Sequence, residues 1–174
     1  RLGVAPHLEG RRVTAVILRH TGLRWPFPER LAERLCGQVV RATGRRGKYL
    51  LIEFDHGTLI VHLGMSGHLR ILPTGTPAQK HDHFDLELGA QILRMNDPRR
   101  FGAILWHGRD EGQLDEHLLL RGLGVEPLGE AFDGALLYRA TRGRSAPIKQ
   151  VLLAGDIVVG VGIGAVLAFG AMEV

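Results

Sequence analysis

The stretch that decides the fold is Tyr49-Leu50-Leu51-Ile52-Glu53-Phe54, followed by Asp55-His56-Gly57 and then, after Thr58, by Leu59-Ile60-Val61-His62-Leu63. Two apolar runs of strand length, parted by a short polar turn containing glycine, predict neighbouring antiparallel strands. The same alternation extends in both directions. Val13 to Leu18, Val39 to Ala42, His68 to Leu72, Phe84 to Leu88, Ile92 to Met95 and Ala103 to Trp106 are further short apolar runs. Gly64 to Gly67, Pro73 to Pro77, Gly89-Ala90 and Asn96-Asp97-Pro98 punctuate them. Eight such runs predict an antiparallel β-sandwich or barrel. One helical stretch, Pro28 to Leu35, interrupts them with Leu31 and Leu35 on one face. Beyond Gly108 the apolar spacing turns helical: Leu114, Leu118 and Leu119, then Phe132, Leu136 and Leu137, then Ile148, Leu152 and Leu153. The chain is therefore expected to be mixed α and β, with an antiparallel β-sandwich over residues 1–124 and a smaller helical domain over residues 125–174.

Composition narrows the function classes. The 174 residues are 45% hydrophobic and 23% charged, with a mean hydropathy of +0.04. These values exclude a disordered tail, a fibrous repeat and a polytopic membrane protein. The single cysteine, Cys36, excludes a disulfide framework and any all-cysteine metal site, and it suits a reducing, cytoplasmic location. Ile157 to Met172 is uncharged, but it is too short and too rich in glycine for a bilayer span, so no membrane association is expected. Charge is divided unevenly. Residues 1–50 carry a net +8 and the remainder a net −4, which suggests an electropositive face for a polyanion.

Two local patterns compete for a function. Gly160-Val161-Gly162-Ile163-Gly164-Ala165 follows an apolar run and satisfies a loose dinucleotide fingerprint. The nine residues after Ala165 leave no room for the βαβ unit and ribose-binding acid that such a site needs. Gly75, His81, His83 and Glu87 are spaced like the first metal motif of a cupin jelly roll. Against that reading, Arg94 stands where the motif has glycine.

A third pattern is different in kind. Arg45-Arg46-Gly47-Lys48 leads into a strand, Gly64-Met65-Ser66-Gly67 makes a tight loop behind His62, and Asn96-Asp97-Pro98-Arg99-Arg100-Phe101-Gly102 makes a turn behind another strand. Arginine and lysine neutralise phosphates, and an apolar side chain held on a glycine-bounded turn can wedge between bases. Two such turns within a basic β domain are what duplex opening requires.

These residues resemble the formamidopyrimidine-DNA glycosylase family of bacterial base-excision repair enzymes. The resemblance runs from Pro6-His-Leu-Glu-Gly10 through Leu23-Arg-Trp-Pro26, Arg45 to Leu51, His62 to Gly67, Lys80-His-Asp-His83 and Asn96 to Ala103 as far as Gly162. It implies a β-sandwich joined to a partial helix-two-turn-helix domain, acting on oxidised purines (8-oxoguanine, formamidopyrimidines) in duplex DNA as glycosylase and abasic-site lyase. It further implies that Lys48 lies at the reacting sugar as the catalytic lysine, that His62, His81 and Arg100 hold backbone phosphates, and that Lys149 contacts DNA from the helical part. Met65, Arg99 and Phe101 match the residues that fill the gap left by a flipped nucleotide, with Arg99 facing the estranged base. A monomer associated with the bacterial nucleoid is implied as well.

The departures set the alternative. The family's N-terminal proline nucleophile and the glutamate after it have no counterpart here, and Ile163-Gly164-Ala165 stands where the family has asparagine and tyrosine. The family's four-cysteine zinc finger has no counterpart either, so no cofactor is expected in this chain. The chain is accordingly expected to be a fragment, a truncated product or a diverged relative. The competing reading is a damaged-DNA-binding module without the nucleophile.

Overall fold

A computed structural model describes residues 1–161. The dinucleotide-like run from Gly162 to Ala165 and the rest of the uncharged segment to Met172 lie outside them. The described residues form two compact units.

The larger unit, Arg1–Arg45 with Tyr49–Leu114, is built on two four-stranded antiparallel sheets. Strands β1 (Ala15–Leu18), β6 (Asp82–Glu87), β7 (Gln91–Asn96) and β5 (His68–Pro73) make the first, in that spatial order. Strands β2 (Ala42–Arg46), β3 (Tyr49–Phe54), β4 (Gly57–His62) and β8 (Ala103–Gly108) make the second. Phe84, Leu86, Leu93 and Met95 from the first sheet and Ile52, Phe54, Leu59, Val61, Ile104 and Trp106 from the second share one core, which makes the unit a sandwich. Helix α2 (Leu31–Leu35) closes one side with Leu31 and Leu35 buried, as their four-residue spacing predicts. A one-turn helix α1 (Ala5–Leu8) buries Leu8.

Two expected elements are corrected. The strand expected from Val39 begins only at Ala42 and continues through Arg45 and Arg46, because the hairpin partner β3 recruits this charged stretch, leaving Val39 a single bridge to Arg12. The helix expected around Leu114 to Leu119 is one 3₁₀ turn, Leu114–Glu116, since Gly112 and Gly122 break the chain on either side and Leu118 lies exposed.

The outer face of the first sheet holds an unexpected charge ladder. Leu69, Ile71, Leu93, Met95, Phe84 and Leu86 point to the core, so alternation sends Arg70, Arg94 and Asp85 outward. Register then sets Arg70 opposite Arg94 and Arg94 opposite Asp85. Arg94 is 2% exposed and Asp85 fully buried. Arg94 Nε and Nη2 donate to the two Asp85 oxygens at 2.8 and 2.7 Å, while its Nη1 and Nη2 reach Pro77 O and Thr76 O, each at 3.0 Å. Arg19 also binds Asp85, and Arg70 Nη2 binds Asp82 at 2.8 Å. The ladder thus ties down the loop that precedes His81.

Burial alone raises the Asp85 carboxyl, but donation from Arg94 and Arg19 outweighs it and holds the group below the ordinary carboxylate range. Asp82 moves the same way: burial is countered by donation from Gln79 N–H and Asn96 and by the nearby arginines. In acid the unfolded chain therefore binds more protons than the folded one. The stabilisation is complete above about pH 4 and is lost as pH falls through the lowered folded-state values. Urea melts across an acid series should show a flat plateau above that pH and a falling limb below it; a limb that begins near pH 6 would exclude these carboxylates as its source.

The smaller unit comprises Arg46–Lys48 and the chain from Asp115, so it starts ten residues before the expected boundary at 124. The reason is local: Arg46 Nη2 donates to Leu123 O at 2.7 Å and Gly124 N to Gly155 O at 2.8 Å. Leu120, Val151, Ile157, Val158 and Val159 are buried in it. Helix α3 (Gly134–Thr141) is capped by Asp133, whose carboxylate accepts from Leu136 N at 2.6 Å. Helix α4 (Ile148–Ala154) follows Pro147 and ends at Gly155 in the left-handed region.

Candidate nucleic-acid interface

Topology sets the two apolar turns side by side. Residues 63–67 cross from β4 in the second sheet to β5 in the first, and residues 97–102 cross back from β7 to β8. Their ends are paired, His62 with Ala103 and His68 with Asn96. Contact is close: a Cβ on Gly64, whose φ is +64, would lie 2.6 Å from Phe101 C and 2.7 Å from Gly102 N. Glycine alone permits this approach.

Both turns present apolar side chains to solvent. Met65 is 74% and Phe101 44% exposed, so neither belongs to the core. The Arg99 guanidinium lies over the Phe101 ring, 4.6 Å from its centroid. Asp97 anchors both turns from beneath. It is fully buried, accepts from Ser66 Oγ at 2.7 Å through Oδ1 and accepts from Gly102 N at 2.8 Å through Oδ2.

A basic cluster adjoins the second turn. Arg100 and His81 are two of the three non-glycine residues with positive φ among the described residues, at 55° and 71°, a backbone cost that tends to persist at functional sites. Arg100 Nη1 donates to His20 Nε2 at 2.6 Å. His20 Nδ1 in turn lies 2.9 Å from Gly22 O and 3.3 Å from Gly22 N. The His83 ring lies 5.9 Å from that of His20 and 6.2 Å from that of His81. Burial first, and then the neighbouring cations, push the His83 pKa below the ordinary histidine value. Its Nε2 is taken up by Asp97 O at 3.1 Å. At the loop behind β4, His62 Nδ1 accepts from Gly64 N at 3.2 Å, and its ring lies 5.0 Å from that of Tyr49.

Lys48 and Lys149 fall in the smaller unit. Lys48 is exposed at the tip of the β2–β3 hairpin, a turn fixed by Gly47 N donating to Glu126 Oε1 at 2.7 Å and by the Arg46–Glu126 pair at 3.4 Å. Lys149 is exposed on α4.

The jelly-roll metal reading is overturned. His83 is committed to the Asp97 carbonyl, Glu87 lies four residues from it at the far end of β6, roughly 13 Å along a strand, and Arg94 fills the outer face with its ion pairs. Among the described residues no group of three or more His, Cys, Asp or Glu side chains could hold a metal ion. One cysteine does not fit a four-thiolate zinc site. No described helix is long and apolar enough to cross a membrane.

The roles of Asp97, Ser66, His20 and Glu126 escape a reading of the sequence, which offers His83 only as a metal ligand or as part of the Lys80–His83 resemblance. Asp97 before proline has the form of an ordinary turn former, and only the pairing of β4 with β8 reveals that it lies beneath two turns at once.

A two-sheet sandwich with cationic, apolar-tipped turns at one end has the form of a glycosylase N-terminal domain, and residues 1–104 match the family model described as the formamidopyrimidine-DNA glycosylase N-terminal domain. The chain belongs to the formamidopyrimidine-DNA glycosylase family. It is 70% identical over 162 residues to the formamidopyrimidine-DNA glycosylase of Janthinobacterium sp. (strain Marseille), covering 93% of this chain and 59% of that protein. The namesake protein of Herminiimonas arsenicoxydans gives the same identity and coverage. The Lactococcus lactis protein solved with DNA containing Fapy-dG superimposes with a TM-score of 0.84 at 30% identity, over 93% of this chain and 61% of that one. The chain thus spans about three-fifths of the length of these relatives.

Proposed function

We propose that this chain carries the lesion-engaging part of a base-excision DNA glycosylase and abasic-site lyase for oxidised purines in duplex DNA. The observation that supports it most is the pair of exposed apolar side chains, Met65 and Phe101, on adjoining glycine-bounded turns beside Arg99 and Arg100. Opening a base step costs a few kcal/mol, and inserted side chains offset that cost. In this reading Met65 and Phe101 fill the vacated stack and Arg99 addresses the estranged base. His62, His81, Arg100 and Lys149 hold phosphates, which positions the duplex without reading its sequence. Lys48 stands at the reacting sugar. The chain acts as a monomer in the bacterial cytoplasm, at the nucleoid.

Fluorescence anisotropy on an abasic-analogue duplex tests the binding. Neutralising about two phosphates, through Arg100 and Lys149, should lower affinity roughly 10-fold between about 50 and 200 mM salt. Arg100→Ala should weaken every duplex alike and reduce the salt slope by about one. A flat salt response, or a loss confined to one sequence, would contradict the assignment. Borohydride trapping on an 8-oxoguanine duplex separates the two chemical outcomes: a covalent adduct marks the enzyme, and saturable binding without one marks a binding module.

A further inference from the structure

We infer that Asp97, acting through Ser66, is a positioning residue that makes Met65 and Phe101 enter DNA as one unit. This rests on the wedge reading proposed above and adds a mechanism to it. Each carboxylate oxygen serves a different turn: Oδ1 takes the Ser66 hydroxyl, next to Met65, and Oδ2 takes the Gly102 amide, next to Phe101. The Asp97 backbone extends the same junction, its N–H donating to His81 O at 3.0 Å and its carbonyl accepting from Arg100 N at 3.2 Å and His83 Nε2 at 3.1 Å. A fully buried carboxylate whose oxygens are met by a hydroxyl and an amide is a costly way to gain stability. It is an effective way to fix geometry, because two acceptors on one rigid group hold two donors at a set separation. Asparagine has one acceptor oxygen only, so it can keep both bonds only if Ser66 reverses its hydroxyl to accept.

Two wedges at a fixed separation act together. The first to enter opens the stack that the second fills, and losing either removes part of what the other gains. Their truncations should therefore be non-additive, and the non-additivity should depend on Ser66. Affinities of the chain for a duplex holding a tetrahydrofuran abasic analogue are measured for Met65→Ala, Phe101→Ala and the double variant, first with Ser66 and then in Ser66→Ala. Ser66→Ala spares the Asp97–Gly102 bond, so the fold and the Phe101 turn stay in place. With Ser66 the double-variant cycle should show a coupling of about fivefold, within the range for residues that act through shared partners. In Ser66→Ala the coupling should fall to about onefold, and Ser66→Thr, which keeps the hydroxyl, should restore it. Single truncations that leave duplex affinity unchanged would defeat the wedge reading itself. Single truncations that weaken binding, with coupling that survives in Ser66→Ala, would leave that reading standing and overturn the positioning role. Methyl and aromatic side-chain NMR of the DNA-free chain gives a second check: the Met65 methyl should gain mobility in Ser66→Ala while the Phe101 ring signals do not, and an unchanged Met65 methyl contradicts the proposal.

Discussion

Arg94→Met should destabilise the sandwich by about 3 to 5 kcal/mol, the loss seen when one partner of a buried ion pair is removed. Methionine fits the space but leaves the fully buried Asp85 with Arg19 on Oδ2 and no donor on Oδ1. Arg19 and Arg70 cannot take over, since their side chains are 25% and 32% exposed and each is already spent on one oxygen of Asp85 or Asp82. In a chain of this size such a loss lowers the melting temperature by roughly 6 to 20 °C. The carbonyls of Thr76 and Pro77 lose their donors in the same step, so the segment before His81 loosens and duplex binding weakens beyond the stability effect. Adding Asp85→Leu to Arg94→Met should recover much of the loss, because the buried Oδ1 that only Arg94 meets is then no longer left without a donor. A drop below about 1 kcal/mol for Arg94→Met would mean that the ladder is solvated and carries no weight.

The second large effect appears in binding and leaves stability alone. Met65→Ala and Phe101→Ala should each leave stability within about 0.5 kcal/mol, as exposed positions do. Core positions would lose about 2 to 5 kcal/mol. Lesion-duplex affinity should fall by about 1 to 3 kcal/mol for each, the scale of one stacking contact. Single-stranded DNA has no partner strand to unstack, so its affinity should barely move. Melting curves read beside the two affinities decide between wedge and core.

Much of the sandwich was legible because its strands carry their own boundaries. β3 and β4 are apolar runs cut by a polar turn, and β7 is bounded by Gly89-Ala90 and by Asp97-Pro98. The charged hairpin arm Ala42–Arg46 was not legible, since its pairing comes from β3 and its own residues show no strand pattern. Leu114 to Leu119 carries helical spacing without a face to bury it against. The two turns holding Met65, Arg99, Arg100 and Phe101 could be picked out as a pair of glycine-bounded apolar and cationic turns in one basic β domain, while the role of each residue rested on the family resemblance. Asp97 and the Asp85–Arg94 pair could not, because burial of a charge is decided by which segments cross above it, and that is a property of the assembled sheets.

In the proposed function the two adjoining turns open the duplex together. 2-Aminopurine fluorescence beside the abasic analogue tests it most directly, since the base brightens when it is unstacked. At saturating protein the chain should brighten it strongly, and the Met65→Ala/Phe101→Ala double variant, also at saturation, should leave it nearly dark. Equal brightening by the double variant would contradict the account, because the duplex would then open without the side chains assigned to open it.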